Sequence, residues 1–504
     1  MKFSFYTEDP LNAAADLLGF GIFEGQLSEL KSFSQLDLAL DGLLTSLVAE
    51  EDFQGKEDQS LLLHTHGRVK PTRLLLLGLG KREDFDLPNL RQYAARLVDA
   101  ANDRGCKVLA AMLPPLDRSA WERAAEYFTE GAILGTYRFD RYQAEDRRRK
   151  LKVESVRLVL GAAPEDAEKG PSPVCLARAE VVAQAVCSAR DLVNEPPGVM
   201  TPRALGEFAR ELALKQGLEC KILGPKECEK HGMRLLLAVS QGSVEEPRFI
   251  HLTYRPKGKD KPKRRIALVG KGVTFDSGGL SLKPSPGMLD MKTDMAGAAA
   301  VLATLGALPS LGLKSEVHGI VAATENMISG SAYKLGDVVT GMGGKSVEIV
   351  NTDAEGRLTL ADALAYAVKL SPDEIIDLAT LTGACMVALG PYSAGVMGND
   401  TAMVERFLGS ARRVGEEAWQ LPLPSRLKEQ LKSPIADLKN AGERWGGALT
   451  AGLFLKEFVG TLPWVHVDIA GPSNAEKAWG HVRQGGTGYG VSTLIDYLQS
   501  RDGS

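Results

Sequence analysis

The stretch from Ser346 to Leu370, SVEIVNTDAEGRLTLADALAYAVKL, passes from a short β-branched run through a turn into a long helical pattern. SVEIV has the alternation of a strand, and LTLADALAYAVKL repeats apolar residues at helical spacing. Between them NTDAEGR places Asp353, Glu355 and Arg357 within five residues. One acid at a helix start complements the dipole, and Thr352-x-x-Glu355 has the form of a capping box. Two acids and an arginine exceed what a cap needs.

The same strand-then-helix alternation recurs outward from this junction. Strands are expected at RIALVG (265–270), EVHGIVAAT, EIIDLATL and WVHVDIA, with MAGAAAVLATLGAL as a further helix. This alternation predicts a mostly parallel central sheet flanked by helices, whose chemistry collects outside the carboxyl ends of the strands. Upstream, TRLLLLGLG, KVLAAML and SVRLVLGAA read as strands and LPNLRQYAARLVDAANDRG as an amphipathic helix, a separate N-terminal α/β domain. PEDAEKGPSP (164–173) is a charged, proline-flanked break. The expected organisation is an N-terminal α/β domain (1–170) with an oligomeric or regulatory role, a linking helix and turn (171–200), and a larger catalytic α/β domain (201–504).

A chain of 504 residues with 44% hydrophobic and 25% charged residues can bury more than one core. A net charge of −4 exerts no global pull on nucleic acid or anionic membranes. Six scattered cysteines with no CxxC pair read as reduced thiols. The first residues, MKFSFYTEDPLNAAADLL, lack the pattern of a secretory signal, no uninterrupted apolar run reaches membrane-spanning length, and a cytoplasmic location is expected.

After RIALVG comes KGVTFDSGGLSLKPSPGMLDMKTDMAG, which carries Lys271, Asp276, Lys283 and Asp294. Capping explains one acid per helix, and Asp276, followed by Ser-Gly-Gly, heads no helix. Four carboxylates gathered at one sheet edge (Asp276, Asp294, Asp353, Glu355) would repel one another unless cations neutralised them. Two divalent ions match that charge, and oxygen donors without histidine or cysteine favour Mn2+, Mg2+ or Zn2+ over a thiolate zinc site.

KGVTFDSGGLSLK, then Thr293-Asp294, then NTDAEGRL resemble the leucyl (cytosol) aminopeptidases, the M17 metallopeptidases. The resemblance extends through VNEPPGVMTP, ATENMISGSAYKLGDV, LATLTGA, SPIADLKN, GGALTAGLFLKEF and HVDIAGP, about the last three hundred residues. It implies a tighter metal site at Lys271, Asp276, Asp294 and Glu355, and a more exchangeable one at Asp276, Asp353 and Glu355. It makes Lys283 and Arg357 the catalytic pair, Arg357 holding a bicarbonate that relays a proton. Thr380, Leu381 and Gly383 would contact substrate through their backbone, with Met291 a wall of an apolar pocket. The implied activity is release of an N-terminal residue, preferably leucine or another bulky apolar one, through a metal-bridged water. The implied assembly is a homohexamer acting on peptides with a free N-terminus. Lys271 reads without the resemblance as an ion-pair partner, because a lysine binds metal only as the neutral amine.

Two rival readings have residues behind them. DRRRKLK and RPKGKDKPKRR are basic, but without interleaved aromatics they read as solvated faces or oligomer contacts rather than a nucleic-acid surface. A two-metal phosphatase or nuclease could share the acid cluster, but would have no use for a substrate amine.

Overall fold

The computed structural model describes residues 1–27, 31–160, 171–258 and 261–503. Most of the expected break at 164–173 lies outside them. The chain divides into two compact units, 1–184 with 478–483 and 185–477 with 484–504. The division falls within one helix, Val174–Asn194.

The first unit is built on six strands, β1 (Lys2–Tyr6), β2 (Leu17–Ile22), β3 (Ser60–His64), β4 (Arg73–Gly78), β5 (Val108–Met112) and β6 (Ser155–Val159). They lie in the order β1-β6-β5-β2-β4-β3, all parallel except β3, which runs antiparallel to β4 at the edge. Every residue of β2 is buried, as expected of a parallel strand covered on both faces. A helix over Leu90–Asp103 turns Leu90, Tyr93, Ala94, Leu97, Val98 and Ala101 inward at three- and four-residue spacing.

The second unit holds an eight-stranded sheet. Its strands are β7 (Glu219–Leu223), β8 (Arg248–Tyr254), β9 (Arg265–Asp276), β10 (Glu316–Asn326), β13 (Glu374–Ala379), β14 (Ala394–Gly398), β15 (Ala418–Gln420) and β17 (Trp464–Asp468). A smaller sheet takes β11 (Val338–Thr340), β12 (Ser346–Glu348) and β16 (Leu438–Lys439). The large sheet runs β15-β14-β17-β13-β9-β10-β8-β7, with a parallel centre and antiparallel pairs toward both flanks. A helix over Ala296–Leu311 packs so closely that a Cβ on Gly297 would strike the Leu378 carbonyl. The stretch Ser285–Leu311 is long and apolar enough to cross a membrane by length and composition, yet most of it is buried inside this unit.

Three features differ from the sequence reading. SVEIV supplies only β12, and β12 pairs in the small sheet rather than the large one. A β-branched run specifies extended backbone but not its neighbour, and beyond Glu348 the amides of Val350 and Asn351 donate to Asn440 Oδ1 instead of a strand. The capping box does not form, because the helix over Gly356–Lys369 has Glu355 itself at the N-cap position and Thr352 Oγ1 is engaged on the Gly278 carbonyl.

The third difference builds the site. RIALVG continues as β9 to Asp276, so Lys271 and Asp276 share a strand. They are five residues apart, and an odd separation would put them on opposite faces. The register against β10 slips by one residue between Thr324 and Glu325, where β9 advances from Val273 to Phe275. This bulge restores parity, so both side chains reach Glu355.

Candidate metal centre

One oxygen each of Asp276, Asp353 and Glu355 lie within 4.8 Å of one another. Asp276 ends β9, and Asp353 and Glu355 come from the turn before the Gly356–Lys369 helix. Asp294 joins them through Lys271, whose Nζ donates to Asp294 Oδ1 at 2.7 Å and to the Thr380 carbonyl at 3.0 Å, and lies 2.9 Å from Glu355 Oε1. Thr380 Oγ1 adds a second donor to Asp294 Oδ1 at 2.8 Å. Lys283 spans the other side, 3.0 Å from Asp276 Oδ2 and 2.6 Å from Asp353 Oδ1. Asp294 therefore does not cap the alanine-rich helix it precedes, whose N-cap position is Met295.

Burial grades the cluster. Lys271, Asp276, Asp294 and Glu355 are buried, while the Lys283 and Asp353 side chains keep 18% and 34% of their exposure, which marks the mouth. Burial raises the Asp294 carboxyl above its ordinary range against the opposing pull of Lys271. Burial also raises Glu355, and the neighbouring Asp276 adds to the shift. Asp353 moves up through burial as well. Burial alone would lower Lys271 and Lys283, but the surrounding acids outweigh it and hold both above the ordinary lysine range. These acids favour the ammonium form of Lys271, in keeping with its reading as an ion-pair partner. To serve as a donor to a metal it must give up that proton, which a divalent cation among the same acids would promote.

The residues fit a cation. Two lysines answer only two of the four acids. Asp294 Oδ2 is buried without a hydrogen bond, and Asp353 Oδ1 and Glu355 Oε1, though close to ammonium groups, lack hydrogen-bond geometry with them. A donor set dominated by carboxylate oxygens, with such unspent acceptors, suits a hard divalent ion.

Two family models cover most of the chain: the cytosol aminopeptidase family catalytic domain matches 187–495 and its N-terminal domain matches 20–146. A probable cytosol aminopeptidase of Geobacter sp. (strain M21) is 44% identical over 502 residues, 99% of this chain and 100% of its own. One of Thermosynechococcus vestitus is 46% identical over 97% of each chain. The chain belongs to the cytosol aminopeptidase family. Among solved structures, a mutant tomato leucine aminopeptidase superposes with a TM-score of 0.89 at 36% identity, covering 99% of this chain and 96% of its own. The bottromycin maturation enzyme BotP in complex with Mn gives 0.83 at 36%, covering 97% and 99%. The protein is accordingly an aminopeptidase, a hydrolase of the metallo-exopeptidase class.

The remaining expected residues lie as follows. Arg357 is buried, donates from Nη1 to the Asn440 carbonyl at 2.8 Å, and keeps Nε without a partner. Burial lowers its pKa to about 10 against the raising influence of Glu355 and Asp468. Met291 opens a short turn, Met291–Thr293, and is half-buried. The Leu381 amide donates to Asp468 Oδ1 at 3.1 Å, and Gly383 begins the helix Gly383–Leu389. Asp468, at the end of β17, also accepts from Thr382 Oγ1 and the Ala470 amide, and so shapes the turn that carries Thr380 to Gly383. The motifs HVDIAGP and SPIADLKN carry the resemblance in the sequence, but their residue pattern gives Asp468 and Asn440 no task. An acid at the carboxyl end of a central strand was the available signal for the first.

Proposed function

We propose that this aminopeptidase removes leucine or another bulky apolar residue from the free N-terminus of peptides with the help of two divalent cations. Lys271, Asp276, Asp294 and Glu355 would hold one, and Asp276, Asp353 and Glu355 the other. The observation that carries the proposal is the convergence of three carboxylates within 4.8 Å, with buried oxygens left without hydrogen bonds. Mn in BotP and the leucine aminopeptidase activity named for the tomato protein support the cation and the side-chain preference respectively.

When bound, such ions supply Lewis-acid polarisation of the scissile carbonyl and acidify an attacking water. The chain's own groups do the rest. Asp294, with Oδ2 unspent, would accept from the substrate's α-amino group, which an internal peptide bond lacks. Lys283, at the mouth, would donate to the carbonyl oxygen as it gains negative charge. Arg357, whose planar fork suits a carboxylate-like anion, would hold a bicarbonate that passes a proton toward the leaving amine. Met291 would face the substrate's side chain, and the backbone of Thr380, Leu381 and Gly383 would flank it. The wider proposal includes a homohexamer, an assembly or regulatory role for the first unit, and a cytoplasmic location in keeping with the relatives' name.

The test is metal content together with leucine-amide hydrolysis for the wild type, Asp276→Ala and Glu355→Ala. Both variants should lose metal and activity while remaining folded. Full activity in either one refutes the site.

A further inference from the structure

The motif ATENMISG ends β10 at Asn326, a fully buried residue that the proposed chemistry does not use. Its Nδ2 donates to Asp276 Oδ1 at 2.8 Å and to the Thr352 carbonyl at 3.0 Å. Its backbone carbonyl accepts from the Ser277 amide at 2.9 Å and from Ser277 Oγ at 2.7 Å. Its own Oδ1 has no partner. An amide placed this way is oriented by two acceptors at the expense of its oxygen, so the orientation is not interchangeable.

We infer that Asn326 is a positioning residue for the cation site: it occupies Asp276 Oδ1 and ties Asp276 to the loop that carries Asp353 and Glu355. The inference rests on the metal reading proposed above. Asp276 Oδ1 already accepts the Gly278 amide at 2.8 Å, so Asn326 completes its hydrogen bonding and leaves Oδ2 as the oxygen paired with Lys283. The Thr352 carbonyl immediately precedes Asp353, and Thr352 Oγ1 bonds the Gly278 carbonyl. One buried side chain therefore sets how far the first acid stands from the second and third. The space between is closed: a Cβ on Gly279 would lie 2.9 Å from Asn326 Oδ1 and 3.0 Å from Thr352 Oγ1. Groups that orient metal ligands in this manner change metal affinity without touching substrate.

A role confined to gluing loops together predicts something different, and the structure supplies the comparison. Tyr333 O–H also donates to the Thr352 carbonyl, at 2.8 Å, but does not reach Asp276 through any hydrogen bond. Each acceptor of Asn326 thus keeps a second donor, so loss of the amide should leave the fold standing.

The experiment strips the full-length protein of metal by chelation and titrates it calorimetrically with MnCl2, alongside a thermal midpoint for the stripped protein. Asn326→Leu, similar in size without donors, and Asn326→Ala should bind Mn2+ ~10- to 100-fold more weakly than wild type, with stripped-protein midpoints near wild type. Tyr333→Phe should bind nearly as tightly as wild type. Unchanged Mn2+ affinity in a folded Asn326→Leu overturns the inference, as does an equal loss in Tyr333→Phe or the unfolding of both Asn326 variants. Failure of the wild type to bind Mn2+ would instead overturn the metal reading itself.

Discussion

Gly356 opens its helix directly against Lys271. A Cβ at that position would collide with Lys271 Cε and lie 2.6 Å from Nζ and 2.9 Å from Cδ, where carbon atoms normally keep about 3.5 Å. Lys271 has little room to yield, being 4% exposed and bonded to Asp294 and Thr380. Relief requires a shift of about 1 Å, estimated from that spacing, enough to break the 3.0 Å bond to the Thr380 carbonyl. Overpacking costs ~1–3 kcal/mol and a lost hydrogen bond to a charged group ~1.5–3 kcal/mol, so Gly356→Ala should destabilise the protein by roughly 2.5–6 kcal/mol. The same displacement of a positioned group should cost about 10²-fold in kcat/KM. The assay pairs urea denaturation with leucine-amide hydrolysis at saturating Mn2+, with Gly198→Ala as the control because nothing lies within 4 Å of its Cβ. A Gly356→Ala enzyme with unchanged midpoint and near wild-type kcat/KM would refute the packing argument.

Lys283→Met should retain Mn2+ on titration yet lose ~10²- to 10³-fold in kcat, the effect of removing one oxyanion donor; equal loss of metal would make Lys283 a structural counter-ion instead. His251 is held down to about 4 by burial first and then by His318 and Lys221, in a chain of contacts from Tyr366 through His251 and His318 to Glu316. Its folded pKa lies below the unfolded value near 6.5, so its contribution is complete above pH 6.5 and is lost as pH falls toward 4. The loss is at most on the order of 2–3 kcal/mol, and His251→Gln should flatten the fall of the denaturation midpoint across that window; an unaltered slope would exclude it. Gly409, inside the helix Thr401–Val414, meets only Arg413 Nη1 at 3.5 Å, so Gly409→Ala should raise stability by about 0.5–1 kcal/mol. A lowered midpoint would contradict this.

The α/β class was readable because buried parallel strands leave continuous apolar runs and amphipathic helices impose a three- and four-residue period, as in TRLLLLGLG and LPNLRQYAARLVDAANDRG. The acid surplus in NTDAEGR was readable as well, since no local structure consumes two carboxylates and an arginine in five residues. The partner of SVEIV was not, because a three-residue strand carries no register information. The pairing of Lys271 with acids was legible, but which acids was not, because Asp294 and Glu355 reach it only through the fold. Asn326 gave only a quoted motif: an asparagine at a strand end has no signature until its two acceptors are known.

From residue types and spacing alone came the layered architecture and the surplus of acids, and from the motifs came the relationship to cytosol aminopeptidases. Folding decided the rest. A single extra residue in β9 turned Lys271 and Asp276 to one side, and close helix contact at Gly356 brought Lys271 against Glu355. Sequence patterns report period and composition, whereas parity, register and the bonding of a buried proton arise only when distant strands pair.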